Sequence, residues 1–185
     1  MPTAPTPAGL ASYARARGAA PLAFSYAPSP TVDTNLLILL HGLGDSREPF
    51  ARLGTQLQRT LPQTAVLAAN APRRIPLLEE DAWMWWDSFD ALGELIRHPD
   101  PRDALGALTA LVGYLVECGW PPARIHLFGY AQGGTLALET LIHARSTWEL
   151  GSAVSAAGPL LSLPTFAPPV QTPVLLIVRE PPRAA

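Results

Sequence analysis

The chain has 185 residues, 48% of them hydrophobic and 15% charged. That suits one folded domain with a real core and excludes a disordered polymer. Thirteen basic side chains, all Arg, stand against fifteen acidic ones for a formal charge of −2, which argues against a nucleic-acid or anionic-membrane protein. No stretch approaches the roughly 20 apolar residues of a membrane span.

Residues 1–30 are rich in Pro and Ala and have no acidic side chain. They lack the long apolar block of a secretory signal, so a cytoplasmic location is expected. They predict a disordered or loosely attached tail, with 22–26 able to add an edge strand. Residues 31–185 are expected to form a single domain. The run NLLILL at 35–40 predicts a strand buried on both faces, and HGLGD at 41–45 a turn. A helix is expected over 47–59, with Leu53, Leu57 and Leu61 on its apolar face. TAVLAA at 64–69 is the next short apolar strand.

The segment 70–101 is long and irregular, carrying Glu79, Glu80 and Asp81 and then Trp83, Trp85, Trp86 and Phe89. Loops this long inside a compact domain are functional or disordered, and the aromatic density argues against disorder. Residues 100–119 give the clearest helix, with Asp100 as cap, Pro101 at its start, Leu105, Leu108, Val112, Leu115 and Val116 at helical spacing, and Gly119 as stop. A strand at 124–128, a turn at 129–134 (GYAQGG), a helix at 135–145 and strands at 152–156 and 173–178 complete the order. Short apolar strands alternating with helices predict an α/β fold, a mainly parallel sheet with helices on both faces. Sites in such sheets open at the carboxyl ends of the strands, where both glycine-rich turns lie.

The segment LFGYAQGG has the form G-x-A-x-G at a strand-to-helix junction. With Ser for Ala131 it would be a nucleophile elbow, a strained turn that lifts one side chain above the sheet. Gly129 and Gly133 would keep neighbouring atoms clear of it, and the helix amino end would help hold a developing oxyanion.

HGLGD (His41 to Asp45), Ala71-Pro72, the Trp-Trp-Asp patch at Trp85 to Asp87, FGYAQGG (Phe128 to Gly134) and TPVL (Thr172 to Leu175) follow one another in this order. In these features the chain resembles the phospholipase/carboxylesterase group of α/β-hydrolases, which includes the acyl-protein thioesterases. The resemblance implies that Ala131 occupies the nucleophile position and that Leu43 and Gln132 supply backbone N–H groups to an oxyanion hole. It also implies that Trp83, Trp85, Trp86 and Phe89 wall an acyl pocket for a small acyl ester or lipid-like ligand. The family's orienting Asp and basic His come after the strand that here begins PVLLIV, yet no Asp follows Asp103 and no His follows His143. The family's last strand and helix also lack counterparts.

The resulting expectation is an α/β-hydrolase-type sheet truncated at the C-terminus, with an exposed edge open to a protein partner. Its family reaction would be hydrolysis of carboxylic esters or thioesters, with the chain itself inactive. The alternatives are a non-catalytic acyl-chain or protein-binding module, or a fragment of a longer hydrolase.

Other candidates carry bland readings. Ser88, Ser152 and Ser155 qualify as nucleophiles by residue type alone, with no His at recognisable spacing. His41 is expected to buttress its loop, His126 and His143 to be structural, and His98 to be solvated. Cys118 is expected to be a structural thiol; one cysteine excludes an internal disulfide and a four-cysteine zinc site. Glu79, Glu80 and Asp81 read as a solvated charged loop. Neither a metal nor another cofactor is expected.

Overall fold

A computed structural model describes residues 1–76, 81–144, 147–162 and 171–178. Among these residues, six strands form one sheet in the order β1-β3-β2-β6-β7-β8. They are β1 (Phe24–Ala27), β2 (Asn35–Leu40), β3 (Thr64–Ala69), β6 (Ile125–Tyr130), β7 (Ser152–Ala156) and β8 (Val174–Ile177). All neighbouring pairs are parallel except β1 with β3. A short ribbon, β4 (Arg73–Arg74) with β5 (Trp83–Met84), stands apart. The mainly parallel sheet with flanking helices is the architecture the alternating apolar segments predict.

The runs NLLILL and TAVLAA form the adjacent strands β2 and β3 inside the sheet, and every residue of β3 is buried. Helix α3 (Arg102–Glu117) lays Leu105, Leu108, Leu111, Val112 and Leu115 into the main core. Helix α4 (Gln132–Ala144) packs on β6 and β7. Helix α2 (Arg47–Leu57) covers the other face over β2 and β3. Its buried residues are Phe50 and Gly54; of the expected Leu53, Leu57 and Leu61, the first two are half-buried, and Leu61, beyond the helix, is 47% exposed. The reason is proximity: a methyl group at Gly54 would overlap Val66 of β3, so the helix sets its smallest residue against the sheet and leaves Leu53 and Leu57 half-buried beside it.

The amino-terminal segment differs from the loosely attached tail its composition predicts. Residues Pro7–Arg15 form helix α1, opened by the Thr6 hydroxyl, which accepts the Gly9 N–H at 3.1 Å. Leu10 and Ala14 are fully buried, and the helix packs on α3. The Tyr114 hydroxyl accepts the Thr6 N–H at 3.1 Å. A proline at the first helical position begins a helix instead of preventing one, which is why Pro-rich composition misleads here.

Among the described residues strand β8 is the last on one side of the sheet, with Val174, Leu175, Leu176 and Ile177 each 46–57% exposed. Among the described residues, no helix is long and apolar enough to cross a membrane.

Candidate active site

Strand β6 ends at Tyr130, and α4 begins two residues later at Gln132. Ala131 makes the junction alone, with φ at +48°. Its N–H is donated to the Ala156 carbonyl at the end of β7 (2.8 Å), and its carbonyl accepts from Thr135 (3.0 Å). The left-handed backbone, costly for a residue with a Cβ, is therefore held from both sides. A Cβ on Gly129 would overlap the Gly133 carbonyl, and one on Gly133 would overlap the Leu40 carbonyl. Only glycine lets strand, turn and helix close this tightly. The elbow geometry is complete, and its tip carries a methyl group.

The HGLGD turn lies against this elbow. A Cβ at Gly42 would sit 2.9 Å from the Tyr130 ring and 3.4 Å from the Ala131 methyl. The turn is anchored to the ribbon by Gly44 N–H to the Trp83 carbonyl (2.9 Å) and Trp83 N–H to the Asp45 carbonyl (3.1 Å). Among the described residues, neither the Leu43 nor the Gln132 backbone N–H is donated within the chain. Gln132 opens α4, where unpaired N–H groups and the helix dipole favour negative charge.

His41 is fully buried beneath the turn. The Ala71 N–H donates to its Nε2 (2.9 Å), so the ring hydrogen is assigned to Nδ1, which faces the Gly42 carbonyl at 2.7 Å. Burial pushes its pKa down from the ordinary histidine value. With both nitrogens engaged, the imidazole is a strut and not a base, as expected.

The aromatic segment divides. Trp85 is fully buried and donates its indole N–H to the His41 carbonyl at 2.8 Å. Trp85 and Trp86 line a recess of about 280 Å³ together with Arg73, Asp87, Ile96 and His98. Trp83 and Phe89 are not part of that recess. Trp83 gives its indole N–H to Asp81 (3.1 Å) under the Arg74 guanidinium, and Phe89 is 48% exposed and bridges to Leu95. Glu79 and Glu80 lie outside the described residues. A wider groove of about 1270 Å³, floored by Leu105 and Ala110 of α3 and flanked by Tyr13 and Trp148, includes none of the elbow residues.

The Gln132 side chain joins elbow to aromatic segment. Its Oε1 accepts the Trp85 N–H (2.9 Å), and its Nε2 donates to the Trp86 carbonyl (3.2 Å) and the Ser88 hydroxyl (2.7 Å). The sequence implies only a backbone role for Gln132, because the loop its side chain holds lies 44–47 residues earlier in the chain. Ser155 is buried, its hydroxyl donating to the Gly158 carbonyl at 3.0 Å. Ser152 meets His126, a pairing that the sequence did not show. The two are register partners on β6 and β7, and the Ser152 Oγ lies 2.8 Å from the His126 Nδ1.

The Phospholipase/Carboxylesterase family matches residues 27–179. The chain belongs to this family. An uncharacterized hydrolase of Mycosarcoma maydis is 48% identical over 161 residues, covering 85% of this chain and 61% of that protein. The acyl-protein thioesterase 1 of Saccharomyces cerevisiae is 28% identical over 130 residues, covering 66% of this chain and 56% of its own length. This family member thus spans about three-fifths of the length of those relatives. The crystal structure of the esterase PE8 matches its fold with a TM-score of 0.66 at 24% identity, over 77% of this chain and 66% of that one.

Proposed function

We propose that this hydrolase-family chain holds the carbonyl of an acyl ester or thioester at the nook between Leu43 and Gln132 and does not turn it over at the elbow. One observation carries the reading. Ala131 stands at the tip of an otherwise complete elbow, with its backbone in the left-handed region, and an alanine methyl has no atom that can attack a carbonyl. In the serine mechanism of such folds, the hydroxyl at this tip attacks, an imidazole takes its proton and an acid orients the imidazole. Three of the four histidines are engaged away from the tip: His41 supports the turn, His126 pairs with Ser152, and His143 faces Ser162 and Glu139. The unspent N–H groups at Leu43 and Gln132 are the chemistry that remains, and they suit an acyl oxygen. A single cysteine fits a reducing compartment such as the cytoplasm.

The test follows a long-chain acyl thioester with the purified chain, measuring binding and released thiol together, beside an Ala131→Ser variant. Saturable binding with no more than one equivalent of thiol released per parent chain is expected. Repeated turnover by the parent chain, or failure to bind saturably, overturns the reading.

A further inference from the structure

The sheet face opposite α3 and α4 carries a nucleophilic arrangement remote from the elbow. His126 is the second residue of β6 and Ser152 the first of β7, whereas Ala131 lies beyond the other end of β6. Five residue steps of extended chain lead from His126 to Ala131, about 16 Å along the strand. His126 Nδ1 faces the Ser152 Oγ at 2.8 Å, and its Nε2 faces the Asn35 Oδ1 at 3.4 Å.

The proton positions follow from the donors. The Arg124 guanidinium only donates, and its Nη1 lies 3.5 Å from the same Asn35 oxygen. The Asn35 amide nitrogen is turned the other way, donating to the Thr34 hydroxyl at 3.3 Å. The atom facing His126 Nε2 is therefore an acceptor, so Nε2 carries the hydrogen and Nδ1 is left to accept the Ser152 hydroxyl proton. Serine, imidazole and an orienting side-chain oxygen are thereby connected in the order nucleophilic catalysis requires. Burial, with a smaller contribution from Arg124, lowers the His126 pKa and favours the neutral ring.

Among the described residues this arrangement is reachable and has an apolar approach. His126 and Ser152 are half-buried, and register pairing places Phe128, Val154 and Leu175 beside them on the same face. Helix α2 packs on β1, β2 and β3, and Leu175 is 56% exposed.

We propose that Ser152 is a second, acyl-accepting site, in which the Ser152–His126–Asn35 chain takes an activated acyl group whose hydrocarbon part lies along Phe128, Val154 and Leu175. The Ser152 Oγ attacks the acyl carbonyl carbon as its proton passes to His126 Nδ1. The bond from that carbon to the leaving oxygen or sulfur then breaks, and the leaving group takes the proton from His126. The product is an acyl ester on Ser152, one equivalent per chain.

The experiment uses the full chain and an alkyl fluorophosphonate, whose phosphorus Ser152 would attack with loss of fluoride. Labelled peptides are identified by mass spectrometry. One label per chain on Ser152 is expected, with a labelling rate reduced on the order of a hundredfold in His126→Gln, which removes the base. No label on Ser152, equal labelling of Ser88 and Ser155, or an unchanged rate in a folded His126→Gln variant overturns the proposal. The unaltered chain alone supplies the first two outcomes, so they do not depend on any variant folding. Label at Ser152 is independent of thioester binding at Leu43 and Gln132, so either site can fail without the other.

Discussion

The Gln132 Oε1 accepts the Trp85 backbone N–H at 2.9 Å, fastening the first residue of α4 to a loop 47 residues earlier in the chain. The turn beneath is fastened through the same tryptophan, whose indole holds the His41 carbonyl. Three segments distant in sequence therefore share one hydrogen-bonded seam around Ala131.

Gln132→Ala breaks this seam and leaves the Trp85 N–H without its acceptor. A loss of about 2 kcal/mol is expected, read from urea unfolding. A change in tryptophan fluorescence should accompany it.

Ala131→Gly removes the Cβ from a residue held at φ +48°. The relief of left-handed strain exceeds the added freedom of glycine in the unfolded chain, so a net gain of about 1 kcal/mol is expected. A lower unfolding midpoint would show that the elbow is not strained as described.

Leu10→Ala tests the docking of α1. Leu10 is fully buried against the core, so its truncation should cost about 3 kcal/mol. A loosely attached segment would show no change in thermal or chemical unfolding.

Stability should fall as the solution is acidified through the ordinary histidine value of 6.5. Below that pH the unfolded chain binds a proton that buried His41 refuses, so the unfolded state gains. The loss levels off below the lowered pKa of folded His41. The slope attributable to one histidine is at most about 1.4 kcal/mol per pH unit. His41→Gln, whose amide can replace both ring contacts, should unfold with a shallower pH dependence than the parent.

The strands and the elbow were legible in the sequence because local chemistry specifies them. NLLILL and TAVLAA have no amphipathic alternative to a buried strand, and Gly129 and Gly133 mark a close backbone approach that side chains would block. The aromatic segment was legible as ordered, but its division was not. Trp85 goes inside because its indole N–H finds the His41 carbonyl, and that is a tertiary fact. The close approach of α2 to the sheet depended on the contact of Gly54 with Val66, which neither segment reveals alone. Ser152 and His126 are 26 residues apart in sequence. Only the parallel register of β6 and β7 makes them neighbours, and spacing rules built for single elements do not detect such a pair.

The uneven covering of the sheet sets how its backbone amides exchange with solvent. β3 is buried along its whole length and has strands on both sides, whereas the described residues of β8 pair with β7 alone and are exposed on both faces. Local opening is easiest where few apolar contacts must be given up. Deuterium uptake should therefore be graded across the domain, slowest at β2 and β3 and progressively faster through β6 and β7 to β8. The sheet would loosen from one margin while its centre stays closed.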